Sequence, residues 1–574
     1  YKRQMFKRYI AFICISLSLS ACDFLDLEEA TDITKEGAYA YDFNNVNKLV
    51  AYVYSFLPQD FGVMGGGALR EAATDNAVFT WSNSKIYDIY ENAWGPLNTI
   101  DDVWGNSYTA IRSANSFLEN YSLEKLEYFK WNEDYEENLR RAKRYVYEVR
   151  ALRAFYFFEL CKRYGDIPLL TRTYTIEEIN SVEKAKFADV IDFIVKECDD
   201  VAPRLPITQD APGTTVPESE WNDYGLGETG RVTRGMVMAL KSRALLYAAS
   251  KLHNPEGDKG KWEKAATAAY AIVKENWYSL PNIDDDPLYD ARGGHDVLKS
   301  KQLIFVKRNG NTSSFEGYNL PIGFEGGNSG NTPTQNLVDA FEMADGTTFD
   351  WNNPEHVQNM YVNGEGKHTR DPRLYTTVLH NGAVFMKNAI ETFVGGKNAY
   401  PIEGASLTGY YLRKYMNETV SLSPAKPISQ PHHFVIFRYA EILLNYAEAM
   451  NEWQGPDYTD GTHPISAREA LNQIRFAANM PSVTEQGEAF TQRIRSERRV
   501  ELAFEDHRFW DIRRWKIGEV VKNIYGVTIQ KVADGFLYTK SKVQERKWED
   551  KMYLYPISQE EVFKNSNLKQ NTGW

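Results

Sequence analysis

Cysteine and histidine are scarce in this sequence, which has 4 Cys and 9 His among 574 residues. Two of the cysteines, Cys161 and Cys198, lie in helices that we predict to form one antiparallel pair. Cys161 ends the first helix, whereas Cys198 lies about ten residues into the second, so at 1.5 Å per residue the thiols are expected roughly 15 Å apart. We therefore predict no disulfide between them.

The sequence also lacks the residue spacings of common metal sites. The adjacent His432 and His433 do not have the HExxH spacing of a zinc site. Asp284, Asp285 and Asp286, followed by Asp290, offer the carboxylates that Ca²⁺ prefers, but not at the spacing of an EF-hand loop. A solvated turn is the favoured interpretation, and we predict neither a metal nor a cofactor.

Signatures of nucleotide, nucleic-acid and membrane-spanning proteins are missing as well. Gly65 to Gly67 are not followed by the Gly-Lys-Ser/Thr of a phosphate-binding loop, and no GxSxG nucleophile elbow occurs. A formal net charge of -12 and a pI near 5.5 disfavour nucleic acid as the partner. No stretch reaches the roughly 18 uninterrupted apolar residues of a spanning helix.

What the chain does have, first, is a targeting signal at its start. Lys2, Arg3, Lys7 and Arg8 precede an apolar run over residues 9–19, and Leu-Ser-Ala-Cys follows at residues 19–22. This arrangement resembles a bacterial lipobox, so we predict a lipoprotein signal peptide over residues 1–21 and lipidation of Cys22; a plain secretory signal is the alternative. Residues 22–35 include an acidic run and are predicted to form a lipid-anchored tether; a merely solvated linker is the alternative.

Residues 36–574 are predicted to form a single, mainly α domain. Amphipathic or alanine-rich segments at the helical period fall at residues 44–57, 101–121, 135–163, 188–201, 233–252, 262–275, 434–453 and 467–478. We expect a scaffold of helix pairs over about 36–277 and 434–530. Between these parts, residues 278–433 read as an irregular, loop-rich insertion on the ligand side, with short strands such as residues 303–306.

The segment Thr491 to Lys516 contains neither Pro nor Gly and predicts a helix of about six turns, with a possible break near Asp506-His507. Steps of four and three align charged residues in a stripe beside apolar positions, namely Arg498, Glu501, Glu505 and Arg508. Two carboxylates one turn apart are compatible with general acid/base chemistry. The flanking arginines lower carboxyl pKa values, which favours a buried structural ion-pair network in which these groups pair with each other or with the backbone.

Two loop-forming stretches combine aromatic and polar side chains. The first, residues 60–98, and the second, residues 309–332, supply these candidate ligand residues: Asp75, Trp81, Tyr90, Trp94, Asn98, Phe315 and Tyr318. Aromatic rings stack on the apolar face of a sugar while amides and carboxylates bond its hydroxyl groups, so a glycan site is predicted. For any single ring, the alternative is that it fills the core.

Several separated motifs resemble one family. SERRVELAFEDHRFWDIRRW at residues 496–515, RAFYFFELCKRYGDIPLL at 153–170, FRYAEILLNYAEAMNE at 437–452 and YPISQEEVFKNSNLKQNTGW at 555–574 resemble the hallmark motifs of the SusD/RagB family, the surface-exposed nutrient-binding lipoproteins of Bacteroidetes. The resemblance implies a tetratricopeptide-like solenoid of helix pairs. It also implies a non-catalytic, lipid-anchored protein at the outer-membrane surface that binds glycan and delivers it to a SusC-like TonB-dependent transporter. In this family the region equivalent to residues 60–98 supplies ligand contacts, which favours Trp81, Trp94 and Asn98.

Other functions compete with glycan capture. Peptide capture, known in part of the family, stays open because aromatic loops also suit peptides. A surface glycoside hydrolase needs two carboxylates about 5 to 10 Å apart, whereas the most conspicuous carboxylates here are flanked by arginines. A purely adhesive lipoprotein leaves the aromatic loops without a purpose. The sequence therefore favours capture, with no enzymatic activity.

Overall fold

The part of the chain that the structure describes contains 17 α-helices, ten of which have seven or more residues. A computed structural model describes residues 42–59, 61–207, 228–290 and 297–574. The predicted signal peptide, Cys22 and the tether lie outside the described residues. The helices are α1 (Phe43–Tyr54), α2 (Ile86–Tyr90), α3 (Trp104–Asn120), α4 (Tyr135–Tyr164), α5 (Ile176–Ile179), α6 (Phe187–Val201), α7 (Arg234–Ala249), α8 (Lys259–Val273), α9 (Ser314–Asn319), α10 (Gln335–Val338), α11 (Pro354–Gln358), α12 (Pro372–Thr377), α13 (Tyr439–Gln454), α14 (Ala467–Ala477), α15 (Gly487–Glu501), α16 (Arg508–Arg514) and α17 (Gln559–Lys564).

The helix ends follow from local chemistry. The side chain of Asp42 accepts a hydrogen bond from the Asn44 backbone at the start of α1, and Thr233 does the same for Met236 at the start of α7. Helix α4 stops at Gly165, whose φ of 70° is the left-handed conformation in which glycine carries no Cβ penalty. Its observed span agrees closely with the predicted 135–163.

Successive long helices pack side by side. Helix α3 contacts α4, α4 contacts α6, α6 contacts α7, and α7 contacts α8; α8 then packs on α13, which contacts α14 and α15. Buried alanines on α7 and α8 allow these helices to approach closely. The prediction of a mainly α fold built from helix pairs is confirmed, and one large apolar core runs along this scaffold.

The strands are short and form two-stranded antiparallel pairs throughout the described ranges. They are β1 (Val63–Gly65), β2 (Ala68–Leu69), β3 (Ala77–Phe79), β4 (Leu303–Lys307), β5 (Asn311–Thr312), β6 (Asn331–Pro333), β7 (Val378–Leu379), β8 (Val384–Phe385), β9 (Asn388–Ala389), β10 (Tyr411–Leu412), β11 (Gln430–Pro431), β12 (Phe434–Arg438), β13 (Asn523–Val532) and β14 (Gly535–Glu545). β3 pairs with β6, and β4 pairs with β12, across long stretches of sequence. The hairpin of β13 and β14 is a difference from the sequence prediction, which extended the helical scaffold to about residue 530.

The predicted six-turn helix is divided into α15 and α16. Between them Phe504 and Asp506 adopt left-handed conformations, with φ of 61° and 62°. Both are held there by residues far away in sequence: the Phe504 amide donates to the Glu71 carboxylate, and Asp506 accepts two hydrogen bonds from Arg70. Tertiary contacts therefore place the break at residues 502–507, around the predicted Asp506-His507.

Candidate functional site

The two predicted ligand loops meet through a strand pair. β3 and β6 pair in register, with Ala77 opposite Pro333 and Phe79 opposite Asn331. The ladder continues as the Thr80 amide donates to the Gly330 carbonyl over 2.8 Å. The Thr332 hydroxyl also donates to the Val78 carbonyl, 254 positions away in sequence. The strand pair thus brings two distant loops to one surface.

Asn331 holds the glycine-rich hairpin of β1 and β2 against this strand pair. Its side-chain amide donates to the Gly67 carbonyl over 2.8 Å and its oxygen accepts from the Leu69 amide over 2.9 Å. The hairpin turn is therefore fixed by a buried amide that makes bonds with both of its polar atoms. A buried Asn stabilises a fold when its side-chain donor and acceptor atoms both have hydrogen-bond partners.

A cavity of about 500 Å³ opens between the hairpin and the residues that follow β3. It is lined by Met64, Gly65, Gly66, Phe79, Trp81, Asn83, Ser84, Lys85 and Asn328. The lining combines the apolar side chains of Met64, Phe79 and Trp81 with the amide, hydroxyl and ammonium groups of Asn83, Ser84 and Lys85. This combination is typical of small-molecule and sugar sites.

Trp81 is the aromatic wall of this cavity. Its indole Nε1 donates to the backbone carbonyl of Asn328 over 2.6 Å, which satisfies the polar atom of the ring and fixes its orientation. A Cβ placed at Gly404 would lie 3.0 Å from Cζ2 of Trp81, so the chain closes against the far edge of the ring. The Trp81 ring is half-buried, and part of its exposed surface lines the cavity.

Tyr318 lies beside the cavity, on α9. Its ring covers Gly67, where an added Cβ would lie 2.2 Å from ring carbons. Gly67 has a φ of 83°, so both the backbone conformation and the stacked ring require glycine there. Tyr318 remains 38% exposed and is available for contact with a ligand.

Four of the seven predicted ligand residues are buried instead, with the following exposed fractions: Asp75 3%, Tyr90 1%, Trp94 4% and Phe315 7%. Trp94 packs edge-on against Tyr555 and Trp574, at centroid distances of 5.2 and 4.7 Å. Phe315 packs against Phe61 at 5.0 Å. The expectation that these residues contact ligand does not fit their burial, because a sugar cannot reach a ring whose faces are already covered.

Tyr90 and Asn98 also have structural roles in the described residues. The Tyr90 hydroxyl donates to the Ala72 carbonyl and accepts from the Phe79 amide. Asn98 is exposed, but its amide donates to Asp88 and to the Ala93 carbonyl in a local turn, and it does not line the cavity. Of the predicted set, Trp81 and Tyr318 are the residues that the structure brings to the same surface.

Asp75 supports the site from beneath. Its carboxylate accepts two hydrogen bonds of 2.9 Å from Arg508. It also forms an ion pair with Arg499 at 3.0 Å. Burial alone raises its pKa, but the two guanidinium groups lower the pKa of Asp75 to about 2. The carboxylate therefore stays ionised and fixes the chain just before β3.

Arg546 completes this support. It donates to the carbonyls of Thr74 and Ala77, and its guanidinium lies 3.9 Å from the ring centroid of Tyr90. Sequence analysis missed this residue because an isolated arginine after a strand has no distinguishing pattern. It also missed Asn83, Ser84 and Lys85, although a short polar run directly after Trp81 is a usable signal.

The four residues of the predicted charged stripe are all buried and ion-paired, but not with each other: Glu501, Glu505 and Arg508 pair with residues of other segments, and Arg498 pairs with Asp511 of the same segment. Glu501 binds Arg438 at 2.6 Å and Arg373 at 2.9 Å. Glu505 binds Arg438 and Lys414, Arg498 binds Asp511, and Arg508 binds Asp75. Burial raises the pKa of Glu505, and Arg438 and Lys414 more than reverse this, so that its pKa lies below the ordinary value. These carboxylates are not placed to donate protons to a ligand.

The residues considered for disulfide and calcium chemistry have other environments. Cys161 and Cys198 are buried free thiols, and burial raises the pKa of both. Asp286 accepts from the Leu288 amide and from the Gln302 side chain. No group of three or more His, Cys, Asp or Glu suited to a metal ion occurs in the part of the chain that the structure describes.

Comparison with known proteins yields two family matches. Residues 302–574 match the model of the SusD family, and residues 23–216 match a model described as starch-binding and associating with the outer membrane. SusD-like protein P38 of Formosa agariphila is 24% identical over 501 residues, covering 79% of this chain and 83% of the relative. SusD-like protein P25 of the same organism is 22% identical over 544 residues, covering 88% and 89%.

Solved structures show the same fold. A SusD-like protein from Bacteroides fragilis superposes with a TM-score of 0.74 at 27% identity, covering 95% of this chain and 99% of the other. A SusD-like carbohydrate binding protein from the same species gives a TM-score of 0.70 at 25% identity, covering 92% and 99%. Among the helices of the described ranges, none is both long and apolar enough to span a lipid bilayer.

Proposed function

Because the chain belongs to the SusD/RagB family, we propose that it is a non-catalytic surface lipoprotein that captures a glycan. The captured glycan is passed to a SusC-like TonB-dependent transporter in the outer membrane, and lipid on Cys22 anchors the protein at the cell surface. The observation that carries the proposal is the cavity beside Trp81, which is lined by a fixed indole together with amide, hydroxyl and ammonium groups.

The geometry suits capture of a sugar. A pyranose ring has an apolar face that stacks on an indole, and its equatorial hydroxyl groups lie at the ring edge, where the side chains of Asn83 and Ser84 can bond them. Tyr318 offers a second, exposed ring next to the cavity. A SusD-like relative of 25% identity is named a carbohydrate binding protein, which supports this ligand class.

The same cavity is poorly equipped for hydrolysis. The described residues that line it include no Asp or Glu, whereas glycoside hydrolysis generally uses a pair of carboxyl groups flanking the bond. The buried carboxylates nearby, Asp75 and Glu505, are bound to arginine and lysine. Support for a capture role therefore comes from which residues line the cavity.

Calorimetry of the purified protein against a panel of polysaccharides and peptides tests this function, with reducing-end release assayed in the same samples. Binding of a glycan without release is the expected result. Release of reducing ends by pure protein would contradict the non-catalytic role, and binding of peptides alone would replace the glycan as ligand. Co-purification with a TonB-dependent transporter from membranes tests the delivery step separately.

A further inference from the structure

Among the described residues that line the cavity beside Trp81, Lys85 is the one with a charged side chain. It is exposed, and within the described residues its ammonium group has no ion-pair or hydrogen-bond partner. An ammonium group pointing into water beside an aromatic wall can bind an anionic substituent without first breaking a bond within the protein.

The other charged side chains that the structure describes in this loop are already engaged. Arg70 pairs with Asp101 and Asp506, Asp75 pairs with two arginines, and Glu91 pairs with Lys547 at 3.1 Å. Asp88 accepts from the Asn98 amide, and Glu71 is buried and accepts two hydrogen bonds. Lys85 differs from this pattern, because no carboxylate among the described lining residues balances it.

We infer that the cavity takes an acidic glycan, one that carries carboxylate or sulfate groups. A sugar ring stacked on Trp81 would place an anionic substituent toward Lys85, while Asn83 and Ser84 bond neighbouring hydroxyl groups. This inference rests on the proposed glycan capture and specifies the charge of its ligand.

The acidity of the whole protein does not oppose this preference at the site. The net charge of -12 acts mainly beyond the cavity, since the Debye length is about 8 Å at physiological ionic strength. Glu325 and Glu403 are exposed on nearby segments but do not line the cavity. Among the described lining residues, Lys85 is therefore the charged group that can contact a bound sugar, and a neutral glycan would leave its ammonium group without an anionic partner.

Matched pairs of glycans test the inference. The probes are laminarin and chemically sulfated laminarin, and polygalacturonate and its carboxyl-reduced product, each titrated calorimetrically at 50 and 500 mM NaCl. We expect the acidic member of at least one pair to bind about fivefold to tenfold more tightly at low salt, with the advantage shrinking at high salt. The sulfated and carboxylated pairs distinguish the two anionic groups.

Two variants distinguish the effect of Lys85 on binding from the effect of the protein's overall charge. Lys85→Met is expected to remove most of the acidic preference while changing the affinity for the neutral member less than about twofold. Lys264→Met makes the same charge change at an exposed position on α8, outside the cavity, and is expected to leave the preference intact. Equal binding of both members, or an acidic preference that survives in Lys85→Met, overturns the inference while glycan capture stands. Failure of every glycan to bind would reject capture itself, and the inference with it.

Discussion

Asp75 and Arg508 form a bidentate ion pair, with both oxygen–nitrogen distances at 2.9 Å, between residues 433 positions apart. The pair joins the loop that carries Trp81 to the helix α16. Its carboxylate also binds Arg499 at 3.0 Å, so removal of one negative charge leaves two buried guanidinium groups without compensation.

Asp75→Asn is therefore expected to lower the free energy of unfolding by about 3–5 kcal/mol, because an unpaired buried charge is strongly unfavourable. Chemical denaturation followed by circular dichroism measures this. Asp192→Asn, at an exposed position on α6, is the control and should change stability by less than about 0.5 kcal/mol. Equal stability of the Asp75 and Asp192 variants would show that the pair is not stabilising.

Trp81 and Trp94 should respond differently to truncation. Trp81→Ala removes a stacking surface and is expected to weaken glycan binding about fivefold or more. Trp94→Ala empties a buried site between Tyr555 and Trp574 and should cost about 3–5 kcal/mol of stability, with affinity unchanged at a temperature where the variant is folded. Trp131→Ala, at an 86% exposed ring outside the cavity, is the control for both measurements. Loss of affinity in Trp94→Ala but not in Trp81→Ala would place the site elsewhere.

The glycines of the hairpin turn provide a matched pair. Gly66→Ala and Gly67→Ala both introduce a Cβ at a positive φ, but only the Cβ at Gly67 meets the Tyr318 ring. We expect Gly67→Ala to be less stable than Gly66→Ala by about 1–3 kcal/mol, the usual cost of overpacking. In a Tyr318→Ala background this difference should disappear. If the stability difference between the two variants persists in the Tyr318→Ala background, it comes from backbone conformation and not from a clash with the ring.

Glu71 should make stability depend on pH. Burial raises the pKa of this carboxyl group from an ordinary 4.5 to about 7, although bonds from Asn76 and the Phe504 amide partly lower it. Between these values the folded state holds a proton that the unfolded state has released, so the stability that Glu71 contributes is greatest below about 4.5 and is lost as pH rises through 7. The expected loss is on the order of 3 kcal/mol.

Denaturation between pH 4.5 and 7 checks the Glu71 effect. Glu71→Gln keeps an oxygen for the Asn76 and Phe504 donors and should lack this contribution to the slope, so that its stability relative to the wild type rises with pH across the window. The comparison with the wild type is needed because the lowered pKa values of His253, His380 and His507 contribute a slope of the opposite sign in both proteins. Glu275→Gln, at an exposed position after α8, should retain the Glu71 contribution. An identical slope in wild type and Glu71→Gln would assign the pH dependence to other groups.

Cys161 and Cys198 should be unreactive in the native state, because both thiols are buried and burial raises their pKa values. A chain that begins after Cys22 is expected to show two slowly reacting thiols that become fast in denaturant. It should also migrate identically on reducing and non-reducing gels. Rapid alkylation of the folded protein would contradict their burial.

Much of the scaffold follows from the sequence, since helix periodicity, caps and stop signals are local. Helix α4 ends within one residue of the predicted segment 135–163, and the alanine-rich pattern of residues 233–252 identifies α7. The hairpin after Asn523 was missed because the expected helical scaffold was carried past the last helical pattern. The sequence predicts that Glu501 and Glu505 form buried ion pairs, but it does not identify their partners. Those partners, Arg373, Lys414 and Arg438, are distant in sequence and lie beside the two carboxylates only in the folded protein.

Local patterns and recognisable motifs are enough to predict the helical scaffold, the family and the two loops that meet beside Trp81, because each of these is encoded in neighbouring residues. Which aromatic residues face solvent is set by the folded chain. Trp81 and Trp94 stand in the same loop and look alike in sequence, yet the C-terminal Tyr555 and Trp574 cover Trp94. Trp81 instead binds Asn328 and keeps one surface open. Exposure depends on which distant residues pack nearby, and no local pattern contains that information.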